Sequence, residues 1–133
     1  MHKLFILIGI SLIAAAFSSQ VFAQRILYQT SEGFIKFVSD APLEYITAKS
    51  NQLKGLVDPQ KRTFAFQLEV NTLKGFNSPL QQEHFYENYM ETDEFPTASF
   101  SGKIIENIDL GETGEQVIRA KGLLNVHEAN QER

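Results

Sequence analysis

The chain has no cysteine. No disulfide can staple the fold, so its stability has to come from apolar burial. A thiol nucleophile is excluded, and so is a lipid-modified start, because no cysteine follows the N-terminal apolar run. Basic residues are few, with 12 Lys and Arg against 16 Asp and Glu. No basic stripe is present, which argues against nucleic acid or anionic lipid headgroups as the main partner. Gly-x-Ser-x-Gly is absent, and so is a phosphate-cradling glycine loop; Gly111-Glu112-Thr113-Gly114 has the composition of a hairpin turn. There is no linker, repeat, heptad or low-complexity tract.

One long apolar run is present, at the start. His2 and Lys3 form a short n-region, Leu4 to Phe17 is apolar apart from Gly9 and Ser11, and Val21-Phe22-Ala23 fits a cleavage site. Residues 1–23 therefore read as a secretory signal peptide, with Gln24 as the first mature residue. The run is shorter than the ~20 residues that span a bilayer. The expected product is periplasmic or secreted and not membrane-spanning. Its 110 residues suit a single domain, and 11 basic against 16 acidic residues give it a net charge of −5. Eight phenylalanines remain, at 34, 37, 64, 66, 76, 85, 95 and 100. Buried together they would contribute on the order of 20–30 kcal/mol gross, before opposing chain entropy.

The pattern is strand-rich. Ile26 to Gln29 reads as a short strand, Thr30 to Gly33 as a turn and Phe34 to Ser39 as a second strand. Glu44 to Val57 is extended, with an interruption near Ser50-Asn51, and ends in a turn at Asp58-Pro59-Gln60-Lys61. Arg62 to Val70 alternates most clearly: Phe64, Phe66, Leu68 and Val70 on one face, Thr63, Ala65, Gln67 and Glu69 on the other. Ser78 and Pro79 open a helix over 79–90, on which Gln81, Phe85 and Tyr89 share a face. Strands then run from Thr97 to about Ile108 and from about Gln116 to Val126, with a turn between. On the last strand Ile118, Ala120, Gly122, Leu124 and Val126 form one face. The small residues there, with Ala98 and Gly102 on the strand before, either leave a cavity or accommodate packing and strand coiling; both readings fit. Several antiparallel strands with one inward face fit a sandwich or a small barrel.

Residues 79–102 carry a more specific signal: His84-Phe85 on the short helix, Phe95-Pro96 after it, and Ser99-Phe100 on the strand. This segment resembles the signature of the YceI-like family of bacterial periplasmic lipid-binding proteins. Residues 33–52 and the Gly122-Leu123-Leu124-Asn125-Val126-His127 run resemble it too. The resemblance implies an eight-stranded, lipocalin-like antiparallel β-barrel with a helix over part of it. It also implies an apolar tunnel holding an isoprenoid or fatty-acyl chain. Two departures stand out: Glu128 replaces the family's glycine, and only about six strand candidates precede Arg133. The chain is thus expected to lack its closing strands, and an open edge with a bare apolar face favours aggregation or a homodimer.

The candidate ligand-binding residues are Phe64, Phe66, Leu68, Phe85, Tyr89, Phe100, Ala120 and Gly122. Aromatic rings at period two serve equally as plain core, and composition does not separate the two. Tyr86 and Tyr89 suit either a pocket mouth or the core. His84 and His127 lack a third ligand at metal-site spacing, so no metal or other cofactor is expected. His84 reads instead as a tie between helix and sheet, and Glu91, Asp93 and Glu94 as solvated surface. The chain reads as a binding protein, not an enzyme; a filled barrel with a structural or stress-related role is the alternative. Mass analysis of the exported product should find Gln24 first. A membrane-bound product retaining Met1 would overturn the signal peptide.

Overall fold

The computed structural model describes residues 24–42, 44–127 and 129–132, the last four by their backbone. The expected signal peptide and the Glu128 departure lie outside the described residues. Six strands form one antiparallel sheet in chain order: β1 (Tyr28–Ala41), β2 (Glu44–Asp58), β3 (Thr63–Glu69), β4 (Thr97–Ile104), β5 (Ala120–Val126) and β6 (Ala129–Glu132). Between β3 and β4 come a 3-10 turn (Val70–Thr72), a short helix α1 (Pro79–His84) and a π turn (Phe85–Tyr89). The fold is mainly β, and β1 and β6 are not paired with each other, so the sheet is not closed into a barrel.

Alternation on β3 decides the sheet's two faces. Phe64 and Leu68 are buried, Ala65 and Gln67 exposed, and Val70 completes the row in the 3-10 turn with no exposure at all. Register carries the same face outward from β3. Val57 lies opposite Phe64, Phe100 opposite Phe66, Ala98 opposite Leu68, and Leu124 opposite Phe100.

The structure corrects the expected first strands. Thr30 to Gly33 is not a turn between two strands; β1 runs straight through it. One extra residue on β1 between Thr30 and Gly33 is answered by one on β2 between Leu53 and Ser50, so the pairing returns to its original register. A bulge absorbs a local twist without ending the ladder. The interruption expected near Ser50-Asn51 is the second of these bulges. β4 also stops at Ile104, short of Ile108, and β5 begins at Ala120 rather than Gln116. The Ile105 N–H still reaches the Arg119 carbonyl at 2.8 Å.

The helix begins as expected: the Ser78 hydroxyl accepts the Gln81 N–H at 3.1 Å, with Pro79 at the first position. It does not continue as an α-helix to residue 90. The Met90 N–H reaches back five residues to the Phe85 carbonyl at 2.9 Å. A π turn holds more than 3.6 residues, so Met90 joins Phe85 against the core while Tyr89 stays at the groove beside Phe85. Met90 accordingly packs on the core, while Tyr89 is 61% exposed.

Ala48, Leu68, Val70 and Leu73 are the centre of that core, and Phe37, Phe76, Phe85 and Tyr86 pack round it. The segment from the 3-10 turn to α1 folds back over one end of the inner face. It is pinned there by reciprocal Lys49–Lys74 backbone bonds of 2.8 Å. Gly102 and Gly122 face each other across β4 and β5. A Cβ on Gly102 would lie 2.1 Å from the Lys121 carbonyl oxygen. The pair thus allows a close backbone approach that a side chain would block. Gly102→Ala should lower unfolding free energy by about 1–3 kcal/mol in urea titration.

Candidate functional site

The inner face is unevenly filled. Under the π turn it is packed: Phe37 stacks on Phe85 with centroids 5.3 Å apart, and Phe76 lies 5.0 Å from Phe85. At the opposite end an apolar hollow of about 200 Å³ is lined by Val57, Phe64, Phe66, Phe100, Ile104, Ile108, Leu110, Ile118 and Ala120. No polar side chain is among them. Phe64 is only 6% exposed and packs against Phe100 at 4.9 Å and Phe66 at 5.7 Å. Phe66 and Phe100 are half-buried, so each presents ring surface that the sheet does not cover.

The eight candidate residues fall into separate places. Phe64, Phe66, Phe100 and Ala120 meet in the hollow. Gly122 lies beneath the Phe100 ring, whose edge is 3.0 Å from where a Gly122 Cβ would be. Ala120 therefore leaves room, while Gly122 makes space for a ring and a neighbouring strand. Leu68 is buried in the core. Phe85 and Tyr89 line another groove, between the π turn and the start of β2. Sequence reasoning missed Val57, Ile104, Ile108 and Leu110, and kept Ile118 on the inner face without assigning it to the site. Val57 and Ile104 could have been found from strand alternation. Ile108 and Leu110 belong to irregular chain, where periodicity gives no direction.

Tyr86, not His84, ties the π turn to the connection that follows β3. The Tyr86 hydroxyl donates to the Leu73 carbonyl and accepts from Lys74 Nζ at 3.2 Å. His84 is exposed. His127 instead bonds Glu91 through Nε2 at 2.5 Å and packs on the Phe95 ring at 4.5 Å. Among the described residues, no three His, Asp or Glu side chains converge as a metal site would require.

A trough of about 560 Å³ on the other face is larger, but its lining includes Gln29, Lys54, Gln67, Ser99 and Ser101. Leu56, Ala65 and Phe66 line it as well, so it is a mixed surface, in contrast to the wholly apolar hollow.

Two carboxylates brace the hollow's end of the sheet. Asp58, 3% exposed, accepts the Lys61 N–H at 3.0 Å and Arg25 Nε at 2.7 Å. The Lys61 bond first, then Arg25, holds the Asp58 carboxyl below its ordinary value, against the opposing effect of burial. Glu106 takes 2.6 Å bonds from the Arg119 side chain and backbone N–H, which lower its carboxyl in the same way.

No protein family's sequence profile matches the chain, and no curated protein does.

A carboxyl lowered in the folded state stabilises the fold above its unfolded value, and that contribution is lost as pH falls through the folded value. Stability should therefore drop as pH goes below about 3.8, the ordinary aspartate value. Asp58→Asn should be less stable at neutral pH and show a shallower acid slope in denaturation series between pH 7 and pH 2.

Proposed function

We propose that this chain is an exported, YceI-like binding protein for one apolar chain, isoprenoid or fatty-acyl, held on the sheet's inner face. The hollow carries this reading. Its entire lining is apolar, it lies beside a well-packed core, and two half-buried phenylalanines face it. The sequence resemblance supports the same conclusion independently. Phe64, Phe66, Phe100 and Ala120 would contact the ligand, while Leu68 and Phe85 would belong to the covered half and exposed Tyr89 to neither. Burying each ligand methylene would add about 0.8 kcal/mol, so selectivity would be for length and shape. No catalytic residue is assigned. No helix of the described residues is long and apolar enough to cross a membrane.

Native mass spectrometry of the purified protein should detect a co-purified lipid, and an environment-sensitive lipid probe should bind. Phe66→Ala should weaken probe binding about tenfold, equivalent to about 1.4 kcal/mol, with a small loss of stability. Phe64→Ala, at the buried ring, should instead lower stability by about 3–5 kcal/mol. Unchanged probe binding in Phe66→Ala would favour a filled structural protein with no ligand.

A further inference from the structure

We infer that a groove on the sheet's outer face binds a small anion of the diphosphate class, bridged between Lys36 and Lys49 with Lys74 beside them. This site is separate from the hollow and does not rest on how the hollow is read. Register supplies the first part of the argument. Ile35 and Phe37 pack on the core, so Lys36 between them faces outward. Lys36 on β1 pairs with Lys49 on β2. Lys49 pairs in turn with Lys74, in the connection that follows β3, through reciprocal backbone bonds of 2.8 Å. Residues directly opposite on antiparallel segments share a face, with Cβ atoms about 5 Å apart. Three lysines far apart in the sequence therefore stand in one row across three neighbouring segments.

The second part is the groove. All three lysines line it, with Phe34 and Gly75 also on its wall, and it measures about 450 Å³. No carboxylate is among its lining residues. Among the described residues, no side chain pairs with Lys36 or Lys49. Lys74 donates to the Tyr86 hydroxyl at 3.2 Å and lies 5.2 Å from the ring centre, which holds it beside the pair. Like charges directly opposite each other destabilise a sheet, and here nothing in the protein relieves them. Other lysines do not form such a row. Lys54 faces Gln67. Lys103 faces Lys121, but its neighbour on the other side is Thr63.

The ligand's chemistry follows from the opposed pair. A monovalent anion neutralises one lysine and leaves its partner bare. Two linked phosphoryl groups place their charges at a separation comparable to that of the paired lysines. An ammonium binds as a point charge with three donors, which suits phosphoryl oxygens better than the planar fork that a carboxylate prefers. An extended anionic surface fits less well. Asp40 lies on the same face of β1 as Lys36, and the protein carries more acid than base. A plane of headgroups would meet that aspartate, whereas a small anion in the groove meets the lysines alone.

The test is calorimetric titration at constant ionic strength with inorganic diphosphate and with sulfate, on the wild type, Lys36→Gln, Lys49→Gln and Lys54→Gln. The wild type should bind diphosphate about tenfold more tightly than sulfate, the scale of one added charge-assisted contact. Lys36→Gln and Lys49→Gln should each weaken diphosphate about tenfold, and Lys54→Gln, outside the groove, should leave it unchanged. Without anion, Lys49→Gln should unfold at the same temperature as the wild type or higher, because it relieves the row; this also shows that the variant is folded. No diphosphate binding, equal binding of sulfate, or an equal loss in Lys54→Gln would overturn the bridged pair in favour of no site or of diffuse attraction. A lower midpoint for Lys49→Gln would overturn the like-charge row. Flotation with phosphatidylglycerol vesicles that depends on Lys49, in a protein that ignores diphosphate, would overturn the small anion in favour of a headgroup surface.

Discussion

The alternation of β3 is the constraint on which the rest of the molecule depends. β3 is hydrogen-bonded on both sides, to β2 and to β4. Among the described residues, Phe64, Leu68 and Val70 supply half of the six buried hydrophobic side chains, all from this strand and the turn that continues it. Because strand side chains have a period of two, a slip of one residue would turn every one of them to water. The apolar penalty of that slip fixes the register of β3. The register of β3 in turn decides which residues of β2 and β4 face inward. The packed core and the open hollow are two ends of the same row of residues.

What separates those ends is the segment that follows Val70. The chain leaves the sheet there and returns over the inner face, which covers one half and leaves the other open. This requires buried polar groups to be satisfied where the chain turns, and a relay of hydroxyls does so. The Gln52 N–H donates to Ser50 Oγ at 3.1 Å, and Ser50 and Thr72 hydroxyls lie 2.8 Å apart. Thr72 Oγ1 donates to the Glu69 carbonyl at 2.7 Å. Thr72 has spent its proton on Glu69, so Ser50 must be the donor between the two hydroxyls. All bonds then run in one direction, and the 4% exposed Ser50 is left with no unmet need. The same serine stands at the β2 bulge, which explains why a polar residue interrupts an otherwise apolar inward row.

The sequence was legible where one local rule acted alone. β3 and the Asp58–Lys61 turn could be read from alternation and turn chemistry, and the helix start from its cap. It was not legible where the outcome depended on a partner strand. Whether Thr30 to Gly33 turns or bulges is decided by the compensating residue on β2, more than fifteen positions away. The π turn shifted the inward face from Tyr89 to Met90, and nothing in the local 3.6-residue spacing announces such a turn. Tyr86 suited a pocket mouth or the core equally well, and it packs on the core; its acceptor, Leu73, comes from a connection without periodicity. The hollow itself combines both cases: its phenylalanines follow from alternation, while Ile108 and Leu110 come from irregular chain.

On the proposed reading of the hollow as a ligand site, occupancy and stability would be coupled in this fold. Phe66 and Phe100 present apolar ring surface to an open hollow, and exposed apolar surface is unfavourable by roughly 25 cal/mol for each Å². Enlarging the residues there would bring its own penalty, since Gly102 and Gly122 already bring two backbones together and Gly122 lies beneath the Phe100 ring. A bound apolar chain removes water from the rings without forcing the strands apart. A ligand that binds only the folded state raises its stability by about 2.7 kcal/mol at a hundredfold excess over its dissociation constant. That is comparable to the cost of losing a sizeable core side chain. In an open sheet without disulfides, the ligand would then act as a removable part of the core. The half under the π turn holds its structure through packed rings, and the half around Phe66 and Phe100 would reach the same density only when filled from outside.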